Sequence, residues 1–108
     1  MYIDDVIEAL ILGAGSSLAP GTVLNIGSGS GTPIVKVAAE ILGLMGDPVK
    51  LLVGAIQTRP DEIMEMSADI SKTRKSLGWE PQVSLEEGLR KSIEWFTQHR
   101  EPAAVGRP

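Results

Sequence analysis

The sequence predicts an α/β fold of three short strands and four helices, organised as one small domain. Two observations support this prediction. Four stretches carry apolar residues at helical spacing, and three short apolar or alternating runs lie between turn residues. With 108 residues and 43% hydrophobic content, the chain is long enough for one core and too apolar for a disordered protein.

Four helices are predicted, at residues 4–15, 33–45, 69–77 and 84–100. Short polar side chains mark their starts, because such side chains can bond the free N–H groups of a first turn. These caps are Asp4 or Asp5, Thr32 followed by Pro33, Asp69, and Ser84 with Glu87 at capping-box spacing. Gly46 and Gly78 end the two middle helices. The face of the first helix that we expect to be buried comprises Ile3, Val6, Ile7, Leu10, Ile11 and Ala14.

Three strands are predicted between these helices. Thr22–Ile26 is short and mostly apolar, which is typical of a strand buried on both faces of a sheet. Val49–Val53 is a second apolar run, and Ile63–Ser67 is a third, alternating piece.

Composition and charge exclude several classes of function. The net charge of −4 provides no basic face for nucleic acid, and the absence of cysteine excludes disulfides and thiolate metal sites. No apolar run reaches the roughly 18 residues of a spanning helix, so no membrane partner is expected. The first residues do not have the pattern of a signal peptide, and a cytoplasmic location is the expectation.

The strongest candidate site is the stretch at residues 59–62, which reads Arg-Pro-Asp-Glu. The guanidinium of Arg59 offers a planar fork of donors that suits phosphate oxygens, and a carboxylate such as Glu62 can accept from sugar hydroxyls. An ordinary surface salt bridge of Arg59 is the alternative. Asp61, Glu62 and Glu65 lack further converging oxygens, so no metal site is predicted.

Two glycine-rich stretches imitate a dinucleotide-binding loop. Residues 13–18 carry Leu18 where the third glycine belongs, and residues 27–32 carry Thr32 there. Val49–Val53 offers no acidic residue for a ribose. We therefore favour turns over phosphate loops at both places and predict no cofactor-binding residues.

Six short motifs stand in order along the chain. They are Tyr-Ile-Asp-Asp-Val at 2–6, Asn-Ile-Gly-Ser-Gly at 25–29, Arg-Pro-x-Glu at 59–62, Ala-Asp-Ile-Ser-Lys at 68–72, Leu-Gly-Trp-x-Pro at 77–81, and Ser-Leu-Glu-Glu-Gly-Leu at 84–89. Together they resemble the C-terminal part of the extended short-chain dehydrogenase/reductases, which are NAD(P)-dependent nucleotide-sugar epimerases, dehydratases and reductases. The resemblance covers roughly residues 2–96.

The resemblance implies a role for each part of the chain. Residues 1–100 would form a C-terminal substrate-binding lobe of a Rossmann-type enzyme. Independently of the resemblance, the two prolines, the glycine and the small residues of 101–108 predict a disordered tail. Arg59 would contact the diphosphate of a nucleotide sugar and Glu62 the ribose. The Arg-Pro-x-Glu form is similar to that of GDP-mannose 4,6-dehydratases and GDP-4-keto-6-deoxymannose reductases.

The catalytic pair of that family, Tyr-x-x-x-Lys, has no counterpart here. Tyr2 is followed four residues later by Val6, and the chain has no other tyrosine. We therefore expect no catalytic residue, no activity of the chain alone and weak nucleotide-sugar binding, with NAD(P) bound only by a full-length enzyme. The alternative is a non-catalytic interaction or structural module of the same ancestry. In either case an uncovered apolar strand at 22–26 favours a homodimer.

Overall fold

A computed structural model describes residues 1–99 and shows four helices. They are α1 (Ile3–Ala14), α2 (Ile34–Leu44), α3 (Ser71–Leu77) and α4 (Leu85–Gln98). Helix α1 packs against α3, and α2 packs against α4. The predicted tail at 101–108 lies outside the described residues. No helix within 1–99 is both long and apolar enough to cross a membrane.

The predicted α/β fold is wrong for the described residues, because none of the three predicted strands forms there. A strand exists only when a neighbour accepts and donates its backbone hydrogen bonds. At 22–26 the carbonyls of Val23 and Asn25 instead accept from two side chains of α3, Lys72 Nζ at 3.0 Å and Thr73 Oγ1 at 2.5 Å. No backbone hydrogen bond joins residues 49–53 or 63–67 to another described segment.

The four predicted helices are confirmed, with boundaries set by local chemistry. The Ser84 hydroxyl accepts from the Glu87 backbone N–H at 3.2 Å, as the capping box predicts. After α2, Gly46 (φ +79°) and Asp47 (φ 52°) turn left-handed, and the Asp47 N–H bonds the Leu42 carbonyl at 2.8 Å. This bond closes a Schellman motif. Gly78 (φ +62°) ends α3 in the same left-handed conformation.

Two of the predicted helix caps are wrong. The residue before α1 is Tyr2, which makes no side-chain cap, so neither Asp4 nor Asp5 caps that helix. Helix α2 is preceded by Pro33, again with no side-chain cap from Thr32. Asp69, the third predicted cap, bonds the first residue of α3. Its Oδ1 accepts from the Ser71 backbone N–H at 2.9 Å.

The core is small and lies between α1 and α3. Three apolar residues are buried in it, Ala9, Ile70 and Trp79, and Ile26 and Leu77 pack on them half-buried. The radius of gyration is 18.0 Å, whereas a compact domain of about 100 residues has roughly 13 Å. The described chain is therefore extended for its length.

The apolar side of α1, which the sequence predicts to be buried, points away from this core. The buried positions of α1 are Asp5 and Ala9, whereas Ile3, Ile7, Leu10 and Ile11 are exposed. At about 100° per residue, the two sets lie on opposite sides of the helix. Within the described residues, the sequence pattern therefore identifies an apolar face that nothing covers.

Candidate functional site

The candidate ligand site is a tight turn at residues 59–62. The Glu62 backbone N–H bonds the Arg59 carbonyl at 3.2 Å, and Pro60 occupies the second position, where its fixed φ favours a turn. The turn brings the first and last residues of the motif, Arg59 and Glu62, close together. Both predicted substrate-binding residues thus lie on one short, locally stabilised segment.

The side chains of this turn are exposed to solvent. Every residue from 45 to 67 is exposed, and within residues 1–99 neither Arg59 nor Glu62 makes a side-chain hydrogen bond or ion pair. The three ion pairs of the described chain lie elsewhere, at Arg74–Glu80, Arg90–Glu86 and Lys91–Glu87. Among residues 1–99 no carboxylate pairs with the Arg59 guanidinium, which lies on an exposed segment.

No cluster of metal ligands accompanies the turn. In the described part of the chain, no three Asp, Glu, His or Cys side chains come together in a way that could hold an ion. Asp61, Glu62 and Glu65 are solvated carboxylates on an exposed segment.

The first glycine-rich stretch lies at the wrong end of a helix for binding phosphate. Gly15 ends α1, and the Ser16 hydroxyl donates to the Gly13 carbonyl at 2.7 Å. A phosphate loop needs the free N–H groups of a helix start, whereas a helix end presents carbonyl oxygens. The geometry supports a turn here.

The second glycine-rich stretch is a packed turn. An added Cβ on Gly27 would lie 2.7 Å from the Ala68 Cβ, and Gly29 has a positive φ of +77° beside Ile70. The Ser28 hydroxyl donates to the Ser30 carbonyl at 2.8 Å. Close approach and turn geometry therefore account for these glycines without a ligand.

A hydroxyl-rich cleft of about 510 Å³ lies between this second turn and the start of α4. Tyr2 forms one wall, and a Cβ on Gly88 would lie 3.2 Å from the Tyr2 Cβ. Lys91 Nζ lies 5.2 Å from the centre of the Tyr2 ring. The Glu87 carboxylate accepts a hydrogen bond from Lys91 and raises the pKa of its ammonium group. No sequence motif points to this cleft, since only the fold brings its walls together.

Asp5 has a structural role that its position in the sequence does not reveal. It is 3% exposed, and its carboxylate accepts from the backbone N–H groups of Gln82 at 3.0 Å and Val83 at 3.1 Å. These contacts fasten the start of α1 to the segment that precedes α4. Asp4, its neighbour, is exposed. Of these two neighbouring carboxylates, Asp5 is therefore a structural anchor and Asp4 a surface charge, and they do not form one site.

The chain is homologous, over most of its length, to part of the NAD-dependent nucleotide-sugar epimerases and dehydratases. The UDP-glucose 4-epimerase of Mycolicibacterium smegmatis is 31% identical over 96 residues, which are 89% of this chain and 30% of that protein. The dTDP-L-rhamnose 4-epimerase of Burkholderia thailandensis is 32% identical over 89% of this chain and 26% of its own length. No family model matches the chain.

Solved structures show the same partial relationship. The UDP-glucose 4-epimerase of Thermotoga maritima, crystallised with UDP-glucose, matches 94% of this chain with a TM-score of 0.82 and 32% identity. The Bordetella bronchiseptica enzyme WbmF, crystallised with NAD+ and UDP, matches 91% with a TM-score of 0.74 and 34% identity. The chain spans 31% and 29% of these two proteins. The predicted resemblance to nucleotide-sugar epimerases and dehydratases is thus confirmed at this level.

Proposed function

We propose that this chain is the nucleotide-sugar-binding C-terminal lobe of an NAD(P)-dependent sugar epimerase, dehydratase or reductase. The observation that carries the proposal is the match of 94% of the chain, at a TM-score of 0.82, to an epimerase crystallised with UDP-glucose. The order of the six motifs along the sequence supports the assignment to the C-terminal part.

In this proposal the turn at 59–62 holds the polar half of the ligand. Arg59 donates two hydrogen bonds to diphosphate oxygens, and Glu62 accepts from ribose hydroxyls. Both side chains lie on one turn and are free of described ion pairs, which supports the assignment. A charge-assisted contact of this kind contributes roughly 1.5–3 kcal/mol, or one to two decades in affinity.

The chemistry of the reaction belongs to the rest of such an enzyme. This chain has no Tyr-x-x-x-Lys pair to transfer a proton, and neither glycine-rich stretch is a complete dinucleotide loop. The role proposed for the lobe is to bind and orient the substrate. Alone it is expected to be inactive.

Experiment has to decide which nucleotide base the bound sugar carries. The relatives named above act on UDP- and dTDP-linked sugars, whereas the Arg-Pro-x-Glu motif is similar to that of enzymes for GDP-linked sugars. The contacts assigned to Arg59 and Glu62 reach the diphosphate and ribose, which all these ligands share. The proposal therefore names a nucleoside diphosphate sugar and treats the base as a separate question.

Amide NMR titration of the chain tests the proposal. UDP-glucose, dTDP-glucose and GDP-mannose are added separately, and the signals of residues 59–62 are followed. We expect dissociation constants on the order of 0.1–10 mM, at the weak end of the affinity scale, because only one half of a binding cleft is present. The base that binds most tightly identifies the substrate class.

Arginine variants provide the control. Arg59→Ala should abolish the shifts, and Arg59→Lys should restore little, because an ammonium is a point charge without the planar fork. Arg90→Ala removes a guanidinium that already pairs with Glu86 at 2.6 Å and should leave binding intact. Absence of shifts at roughly 10 mM of each nucleotide sugar would contradict the proposal.

A second candidate is a non-catalytic module that associates with itself. The observation that favours it is the amount of apolar surface left exposed, on α1 and along residues 49–66. Sedimentation velocity at several concentrations tests it directly. A concentration-dependent dimer together with no nucleotide binding would support this candidate, and a monomer at all concentrations would exclude it.

A further inference from the structure

The hydroxyl-rich cleft between the turn at 27–32 and the start of α4 is lined by no charged side chain. Its volume of about 510 Å³ lies in the range of roughly 300–1,000 Å³ that is usual for sites of small ligands. The turn at 59–62, which we assign to the nucleotide, does not contribute to it. Six residues supply the hydroxyl groups: Tyr2, Ser28, Ser30, Thr32, Ser84 and Ser92.

Three of these hydroxyls have defined hydrogen-bonding roles. Ser28 and Ser92 each donate to a backbone carbonyl at 2.8 Å, so their oxygens can still accept. Ser84 Oγ accepts from a backbone N–H of α4, so its own hydrogen remains to donate. Within residues 1–99 the other three hydroxyls make no hydrogen bond. The cleft therefore presents both donors and acceptors to a ligand.

Tyr2 gives the cleft an aromatic wall. Its ring lies against α4 at Gly88, where an added Cβ would lie 3.5 Å from Cδ2 of the tyrosine. The Lys91 ammonium lies 5.2 Å from the ring centre and favours this ring position. Leu85 and Leu89 add aliphatic surface to the cleft. Apolar surface thus lies beside the hydroxyl groups, as in most sites for small organic ligands.

We propose that this cleft binds an uncharged sugar ring, a pyranose or its glycoside, at a site separate from the turn at 59–62. The hydroxyls of a pyranose both donate and accept, so they match the mixed set on the cleft walls. The C–H groups of the same ring pack on the Tyr2 side chain.

The absence of charge selects against other occupants. A phosphate or carboxylate would lose its hydration in the cleft and would meet no cationic side chain there. An apolar polypeptide would cover the hydroxyl groups and leave them without hydrogen-bond partners. A neutral ligand that carries several hydroxyls avoids both costs.

NMR titration of the isolated chain with methyl β-D-glucopyranoside tests the proposal. The amide signals of residues 28–32 and 84–92 should shift together and saturate. We expect a dissociation constant on the order of 1–10 mM, the affinity usual for so small a ligand. Absence of saturable shifts at roughly 100 mM of the glycoside would overturn the proposal.

Two further probes test the class of ligand. Sorbitol carries similar hydroxyls but no ring to pack on Tyr2, and should bind at least roughly tenfold more weakly. UDP is anionic and should leave the signals of residues 84–92 unchanged, because no cation lines the cleft. Equal affinity for sorbitol, or saturable shifts of residues 84–92 with UDP, would overturn the assignment to a neutral sugar ring.

Threonine variants provide the matched control. Thr32→Val removes a hydroxyl that makes no hydrogen bond within residues 1–99, so the chain should still fold. It should weaken glycoside binding roughly twofold to tenfold, the effect of one hydrogen bond. Thr97→Val, on α4 and outside the cleft, should leave the affinity unchanged. Equal affinities of the two variants would overturn the proposal.

Arg59→Ala separates this inference from the proposed function. It should abolish the shifts that nucleotide sugars cause at residues 59–62 and leave glycoside binding in the cleft unchanged. Loss of glycoside binding in Arg59→Ala would show that the two sites are one and would overturn the proposal. If nucleotide sugars cause no shifts at 59–62 in the wild-type chain, the proposed function fails, and saturable glycoside binding still supports the sugar site.

Discussion

The indole Nε1 of Trp79 donates a hydrogen bond of 3.0 Å to the backbone carbonyl of Asp5, although the two residues are 74 positions apart. The same Asp5 accepts from Gln82 and Val83 through its side chain. One residue of α1 therefore holds both the buried tryptophan and the segment that leads into α4. This double attachment is the main long-range polar contact of the small core.

Asp5→Asn should destabilise the chain by about 1–3 kcal/mol. The carboxylate accepts from two backbone N–H groups, and an amide side chain can accept from only one while it turns a donor toward the other. The free energy of unfolding is measured by urea denaturation. Asp4→Asn is the matched control and should change it by less than about 0.5 kcal/mol, because Asp4 is exposed. Equal effects of the two changes would contradict the anchoring role.

Two glycine-to-alanine changes should alter the free energy of unfolding in opposite directions. Gly27→Ala brings a methyl group to 2.7 Å from the Ala68 Cβ, so it should cost about 1–3 kcal/mol. The methyl group added by Gly43→Ala meets nothing within 4 Å. Because Gly43 lies in α2, the change should raise the free energy of unfolding by roughly 0.5–1 kcal/mol through helix propensity. Thermal unfolding measures both. Partial recovery in Gly27→Ala with Ala68→Gly would attribute the loss to this one contact.

The carboxyl group of Asp69 should contribute to the acid sensitivity of the fold. Hydrogen bonds from the Ser71 side chain and backbone lower the pKa of Asp69 in the folded state. Because the pKa of Asp69 is lower in the folded state, its ionised carboxylate stabilises the fold. This contribution is fully present above the pKa of the unfolded state, about 3.9, and is lost as the pH falls through the pKa of the folded state.

Carbon-detected NMR titration of Asp69 between pH 2 and 6 measures this shift. Ser71→Ala should raise the pKa toward its ordinary value, because it removes the largest of the contributing hydrogen bonds. Ser76→Ala, on the same helix, should leave it in place. An unchanged pKa in Ser71→Ala would contradict the assignment.

The isolated chain should bind neither NADH nor NADPH with micromolar affinity. The glycines at 13–15 close a helix end, and the stretch at 27–32 is a packed turn with Thr32 in place of the third glycine, so neither is a complete dinucleotide loop. Fluorescence titration with both cofactors checks this expectation. Micromolar binding would show that one of the two stretches is a dinucleotide site after all.

The elements that depend on local chemistry were predictable from the sequence. Gly46, Gly78 and Ser84 set helix ends within a few residues of themselves, and all three act as predicted. The order of short motifs also identified the nucleotide-sugar enzymes to which the chain is homologous. The turn at 59–62 forms around Pro60, and its ligand role stays a prediction.

The contacts that depend on distant residues were decided by the tertiary structure. Apolar content at 22–26 predicted a strand, but pairing requires a neighbour, and α3 side chains take its carbonyls instead. Asp5 looked like a helix cap, but its partners are 77 and 78 residues away. The pattern of α1 correctly showed an apolar face and could not show what covers it. The spacing of apolar residues shows which residues share one side of a helix. Only the three-dimensional arrangement determines which side packs on the core.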